Sequence, residues 1–214
     1  MQLLTVQEFI SLVDGTVQGT VNLSATIEGC VIDSRQVRSG DAFFALSGNN
    51  QHGVQFCDAA VRDGAVVVVV DEQASAQCAT PHVSVPDAEI ALAMLANHNR
   101  RQSEALVIGI TGSVGKTTTR RMIASVLETI HTGIQSPRNF NNHLGVPLSL
   151  LELQQGDEFA VIEIGASGPG EIRALTSIAE PEMAVITRIA PCHLRGFESV
   201  QKIQLEKVRI IATL

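Results

Sequence analysis

The sequence predicts a mixed α/β chain in two parts: a small N-terminal α/β unit over residues 1–102, then a parallel-sheet unit of phosphate-loop type over residues 103–214. Three observations lead there. Short β-like runs alternate with helix-like stretches through the first part. A polar stretch, residues 99–104, reads as a linker. Beyond it, a continuous apolar run at 105–110 passes through a glycine-rich turn into an amphipathic stretch at 116–130, the strand–turn–helix order of buried parallel sheets.

The elements follow in order. Thr5 and Glu8 form a capping-box pattern that opens a short helix over 6–13, with Phe9, Ile10 and Val13 apolar. Strands are expected at 29–33, 42–46, 65–70 and 82–85, with a helix at 56–62 among them. Residues 86–101 predict a longer helix, with Pro86 at its start and Ile90, Leu92, Met94 and Leu95 as its apolar positions. In the second part, the helix at 116–130 carries Met122, Ile123, Val126, Leu127 and Ile130, read as one core-facing side. Strands at 158–164 and 183–189 and helices at 171–178 and 200–214 complete the pattern. The last helix has no glycine or proline to end it, and three strands with three helices make an unusually small nucleotide-binding unit, so the second unit is expected to be incomplete and prone to self-association through an uncovered apolar arc.

Composition narrows the function. Hydrophobic residues make up 45% and charged residues 17%, enough apolar material for a packed core and too little charge for a disordered chain. The net charge of −7 argues against non-specific nucleic-acid binding, so an anionic small molecule would need locally focused basic groups. Cys30, Cys57, Cys78 and Cys192 are far apart and form no CxxC, which reads as reduced thiols in a cytoplasmic protein. The opening MQLLTVQEF has no basic leader segment, and no apolar run is long enough to insert in a membrane.

Chemistry concentrates first in residues 109–117, GITGSVGKT. Glycines let backbone N–H groups approach phosphate oxygens, and the following helix adds its N-terminal dipole. Lys116 can reach the β- and γ-phosphates, and the Thr117 hydroxyl can ligate Mg²⁺. Ile110 stands where the longer phosphate-loop pattern has its first glycine, so the match is to the shorter GxxGK[ST] form. Glu163 ends an apolar strand, where a carboxylate faces the site crevice of an open α/β sheet and can bind a metal. His193 follows the next strand by a few residues. Lys207 sits within the arc of Val200, Ile203, Ile210, Ile211 and Leu214 on the last helix, and an inward lysine needs a partner or a function. The plain alternatives are a strand-end acid, a surface histidine and a lysine whose amine snorkels outward.

Together these segments resemble a family. GITGSVGKTTTRRMI, NFNNHLGVPLSLL (139–151), VIEIGASGPGEI (161–172) and AVITRIAPCHLRGFES (184–199) are similar to the Mur ligase superfamily. The second and third blocks resemble its branch that adds D-alanyl-D-alanine. DSRQVRSGDAFFALSG (33–48) is similar to the UDP-sugar-binding N-terminal domain of these enzymes. The resemblance implies ATP-dependent amide ligation in peptidoglycan precursor synthesis, with the amine-binding domain lying beyond residue 214, so this chain by itself is expected to be inactive. The carboxylate of UDP-N-acetylmuramoyl-tripeptide attacks ATP to give an acyl phosphate, and the amine of D-alanyl-D-alanine displaces phosphate. It implies ATP and Mg²⁺ as cofactors. Gly112, Ser113, Gly115, Lys116, Thr117, Thr118 and Asn142 would hold the nucleotide. Thr117, Glu163 and His193 would hold metal, while Lys116, His193 and a carbamylated Lys207 would serve catalysis. Ser34 and Arg35 would face the uridine diphosphate.

The chain departs from the family at His52-Gly53-Val54-Gln55-Phe56, at Arg188, where asparagine is usual, and at Phe197-Glu198-Ser199. Two other readings share these residues. One is a non-catalytic nucleotide- or UDP-sugar-binding fragment. The other is a different ligase of the superfamily, such as the folylpolyglutamate type, against which DSRQVRSGD speaks.

Overall fold

The computed structural model describes residues 1–48 and 52–213. Leu214, expected on the inward arc of the last helix, lies outside the described residues. The chain forms two compact units, Met1–Leu95 and Ala96–Leu214.

The first unit runs β1 (Leu4–Thr5), α1 (Val6–Leu12), β2 (Thr16–Gln18), β3 (Thr26–Ile27), β4 (Gly29–Val31), β5 (Asp41–Phe44), α2 (Cys57–Arg62), β6 (Val67–Asp71), α3 (Glu72–Ser75) and β7 (His82–Val85), and then enters α4 (Ala88–Arg101). Its main sheet has the order β2-β7-β6-β5-β4, parallel except for β2 against β7; β1 and β3 pair antiparallel beside it. The first four residues of β6, all valine, are buried, as a β-branched run in a sheet covered on both faces should be. The expected capping box is present: Glu8 N–H donates to Thr5 Oγ1 at 3.2 Å, and Thr5 N–H donates to Glu8 Oε2 at 2.7 Å. Phe9 then meets Phe44 edge to face, ring centroids 5.9 Å apart, a geometry that adds about 0.5–1.5 kcal/mol beyond its area.

The second unit continues with β8 (Leu106–Thr111), α5 (Lys116–Leu127), β9 (Gly133–Gln135), α6 (Gly145–Leu151), β10 (Phe159–Glu163), α7 (Glu171–Ala179), β11 (Met183–Ile186), α8 (Leu194–Phe197) and α9 (Val200–Val208), with a 3₁₀ stretch over Arg209–Thr213. Its sheet is fully parallel in the order β11-β8-β10-β9. Register places Glu163 beside Ile110 and Ile186 beside Thr111, so three strands end along one edge.

Several expectations change. The stretch read as a linker, 99–104, begins inside α4. Asn99 is buried there and donates to Leu150 O at 2.9 Å, and the Arg100 guanidinium donates to Ala179 O and Glu180 O, both at 3.0 Å. These side chains satisfy carbonyls at the ends of α6 and α7, which is why a polar stretch can sit inside a packed unit. On α4, Ile90 and Met94 are exposed, while Ala88, Ala91, Leu92, Leu95 and Ala96 pack inward. On α5, Met122 and Val126 point outward, at 65% and 68% exposure, and the helix ends at Leu127, so Ile130, expected on the same face, lies in the turn beyond it and is exposed. The inward side holds Arg120 and Ala124, flanked by Ile123 and Leu127. The last helix tightens to 3₁₀ after Val208, which turns Ile211 to solvent; Ile203, Glu206, Lys207 and Ile210 stay buried. Among the described residues no helix is long and apolar enough to cross a membrane.

Candidate functional site

The loop between β8 and α5 is shaped by two glycines. Gly112 has φ +143° and Gly115 has φ +93°, conformations that L side chains rarely adopt. A Cβ on Gly112 would also run into the Thr187 hydroxyl. The tight turn lets Thr187 brace the loop, its hydroxyl donating to Val114 O at 2.8 Å, while Ser113 N–H donates to Arg188 O at 2.8 Å. The Ser113 hydroxyl donates to Ala190 O at 2.9 Å, and the Lys116 ammonium folds back onto Gly112 O at 2.8 Å. The loop is therefore held from the segment after β11. At the N-terminus of α5 the first N–H groups have no partner within the helix, so they face outward with its positive dipole end.

A cavity of about 130 Å³ opens at this edge of the sheet, and Gly112, Ser113, Lys116, Asn142, His193 and Lys207 all line it. Six of the residues singled out from the sequence thus converge from four separate segments. Gly115, Thr117 and Thr118 lie in the same loop and first helical turn but not on the cavity wall. Ser34 and Arg35 belong to the first unit, in a 3₁₀ turn capped by Asp33. There the Arg35 guanidinium donates to both Asp33 oxygens, at 2.9 and 2.7 Å, which holds the Asp33 carboxyl well below the usual range.

Lys207 comes from α9 and is 1% exposed. Burial, and after it the nearby Lys116 ammonium, pulls its amine from 10.5 down to about 8. His193 caps α8 in a left-handed conformation (φ +48°) and is exposed. Asn142 turns its Oδ1 toward α6, accepting from Gly145 N–H at 2.8 Å.

Glu163 is fully buried at the end of β10, and neither carboxylate oxygen has a hydrogen-bond partner. Its backbone N–H donates to the buried Ser136 hydroxyl at 3.0 Å. The nearest cation is Arg120, with Nε 3.4 Å from Glu163 Oε1. Among the described residues no three His, Cys, Asp or Glu side chains cluster closely enough to hold a metal ion alone. A cation here would draw on a mixed set of carboxylate, hydroxyl, phosphate and water oxygens, the manner of Mg²⁺. Glu163 is not on the cavity wall, but its two oxygens, free of hydrogen bonds and with Arg120 at ion-pair distance, fit that demand.

Sequence reasoning did not single out Asn141, Glu171 and Cys192, which also line the cavity, or Arg120. Asn141 and Glu171 lie in the quoted blocks, which was the available signal. Cys192 and Arg120 lie in quoted blocks too, residues 184–199 and 109–123; the Cys192 thiol lies 3.1 Å from the Ser113 hydroxyl.

Comparison with known proteins places the whole chain in a family. Residues 110–214 match the Mur ligase middle domain, and residues 26–100 match the Mur ligase family catalytic domain. The chain is 41% identical over 180 residues to the UDP-N-acetylmuramoyl-tripeptide–D-alanyl-D-alanine ligase of Haemophilus influenzae, covering 81% of this chain and 39% of that protein. A MurF crystal structure from Acinetobacter baumannii superposes with a TM-score of 0.88 at 32% identity, over 100% of this chain and 47% of its own. The MurF ligase of Thermotoga maritima, solved in complex with ADP, gives 0.76 at 33% identity, over 86% and 43%. This chain thus spans less than half the length of the relatives it matches. With two family models aligned in order along it, the chain belongs to the Mur ligase family.

Proposed function

We propose that this chain supplies the UDP-muramoyl-binding unit and the nucleotide-binding site of a cytoplasmic, ATP-dependent ligase that joins D-alanyl-D-alanine to UDP-N-acetylmuramoyl-tripeptide. The observation that carries the reading is the convergence of Lys116, Lys207, His193 and Asn142 on one cavity at the phosphate loop. The names of the relatives, one of them solved with ADP, support the choice of substrates.

In this reading the phosphate chain of ATP lies along Gly112–Thr118, against the free N–H groups that open α5. Lys116 leaves the Gly112 carbonyl and turns to the β- and γ-phosphates. Thr117, Glu163 and His193 would hold Mg²⁺, which would supply charge neutralisation at the phosphates. Lys207, with its lowered amine, is the carbamylation site that the family implies. Ser34 and Arg35 hold the uridine diphosphate. The muramoyl carboxylate attacks the γ-phosphate, breaking its bond to the β,γ-bridging oxygen and releasing ADP, to form the acyl phosphate; the D-alanyl-D-alanine amine then attacks the acyl carbon, losing a proton and displacing inorganic phosphate. Positioning and charge neutralisation supply most of the rate.

Calorimetry tests the reading. Wild-type protein is expected to bind Mg-ATP, and Lys116→Ala to lose at least about 100-fold in affinity, since two charge-assisted phosphate contacts are each worth about 1.5–3 kcal/mol. UDP-N-acetylmuramoyl-tripeptide is expected to bind independently of that substitution. Folded protein that binds neither ligand, or binds Mg-ATP equally in both forms, overturns it.

A further inference from the structure

We propose that Arg120 is a positioning residue for Glu163: it balances the buried carboxylate while leaving both of its oxygens without a hydrogen bond, as ligand atoms for a metal ion. The inference rests on the reading of Glu163 as a Mg²⁺ ligand.

The two side chains are 3% and 1% exposed, so neither charge is solvated by water. A buried carboxylate without a counter-charge is strongly destabilising. An arginine packed against a carboxylate ordinarily closes into a two-bond fork that occupies its lone pairs. Here it does not. Nε stands at ion-pair distance, 3.4 Å, and Arg120 Nε and both Glu163 oxygens lack any hydrogen bond. The guanidinium is held elsewhere: Nη1 donates to Arg138 O at 3.1 Å. Arg138 has φ +47° and lies in the loop between β9 and α6. The same loop supplies Ser136, whose hydroxyl receives the Glu163 N–H, and ends at Asn141 and Asn142 on the cavity wall.

Arg120 also lies one helical turn after Lys116, on the same side of α5. One guanidinium thus links the phosphate-loop helix, the asparagine loop and the strand-end carboxylate. A purely structural arginine would saturate Glu163, whereas this one supplies charge and leaves the ligand atoms free. Groups that orient a metal ligand in this way affect metal affinity by about 10–100-fold.

The test measures ATP affinity by calorimetry with and without Mg²⁺ in wild type, Arg120→Met, Arg120→Gln, Arg120→Lys and Glu163→Gln, with thermal unfolding of each. Arg120→Met and Arg120→Gln are expected to lose about 10–100-fold of the Mg²⁺-dependent gain in affinity. Their Mg²⁺-free ATP affinity should stay within about threefold, and Arg120→Lys should recover most of the gain. A full Mg²⁺ gain in the Met and Gln variants overturns the proposal. So does equal weakening with and without Mg²⁺, or failure of both variants to fold, because each marks a structural arginine. If Glu163→Gln loses the gain while Arg120→Met keeps it, only the positioning role falls. If Glu163→Gln keeps the gain, or wild type shows none, the metal-ligand reading falls and takes the positioning role with it.

Discussion

Arg35 and Lys207 are both cations that stood out in the sequence, and the fold treats them in opposite ways. Arg35 lies on a surface turn, its side chain 86% exposed, closed onto Asp33 two residues away. Lys207 lies 1% exposed in the second unit, with its proton affinity lowered by burial and by Lys116. The first arrangement is local and inexpensive: water solvates the pair, and a ligand phosphate can exchange with Asp33 as the partner of the guanidinium. The second is imposed by long-range packing and holds the amine at a standing cost. Stability spent on burying a charge at a cavity edge points to chemistry there, whereas an exposed ion pair points at most to recognition.

Lys207 offers the largest effect by which to break that contrast. The folded chain releases this proton near pH 8, against 10.5 for the ordinary side chain. Below pH 8 the folded state therefore bears the full penalty of a buried ammonium. Between pH 8 and 10.5 the unfolded state holds more protons, so stability rises with pH across that window. Lys207→Met is expected to stabilise the protein at pH 7 by on the order of 3 kcal/mol and to flatten the rise. Urea denaturation at several pH values checks this, and an unchanged slope would place the amine in water.

Gly112→Ala comes next. The left-handed backbone and the collision with Thr187 should together cost about 1–3 kcal/mol and loosen the loop, read as a lower Tm and weaker Mg-ATP binding. Thr5→Ala in the first unit should cost about 1 kcal/mol through the lost cap, with no change in nucleotide affinity. Arg35→Ala sharpens the comparison from its small end. Its stability should stay within about 0.5 kcal/mol of wild type, while affinity for UDP-N-acetylmuramoyl-tripeptide falls. A large loss of stability there would show that the surface pair is structural after all.

What was legible in the sequence follows the range of the interactions. The capping box at Thr5 and Glu8, the glycine loop and the inward place of Lys207 depend on residues a turn or two apart, and each is found where the local pattern put it. Helix faces were harder. Met122, Val126 and Ile130 are apolar at helical spacing, yet Arg120 and Ala124 take the buried side, because the sheet beneath offers Arg120 a counter-charge in Glu163 and Ala124 an apolar bed of Ile108, Ile110, Phe159 and Val161. The edge strand Gly133–Gln135 is too short to carry a period. The cavity's other residues, Cys192 among them, meet the loop only through the parallel crossovers, whose pairing no local signal encodes. Asn99 and Arg100 looked like linker because polarity alone does not reveal that they cap the ends of other helices.

The proposal that the cavity at the strand ends receives a nucleoside triphosphate is tested most directly by a crystal structure of this chain with Mg²⁺ and a non-hydrolysable ATP analogue. The account predicts the phosphate chain along Gly112–Thr118, Lys116 turned from the Gly112 carbonyl to the terminal phosphates, and the metal within reach of Thr117 and Glu163. A bound analogue that leaves Lys116 on Gly112 and Glu163 paired only with Arg120, with its phosphates elsewhere, would contradict it.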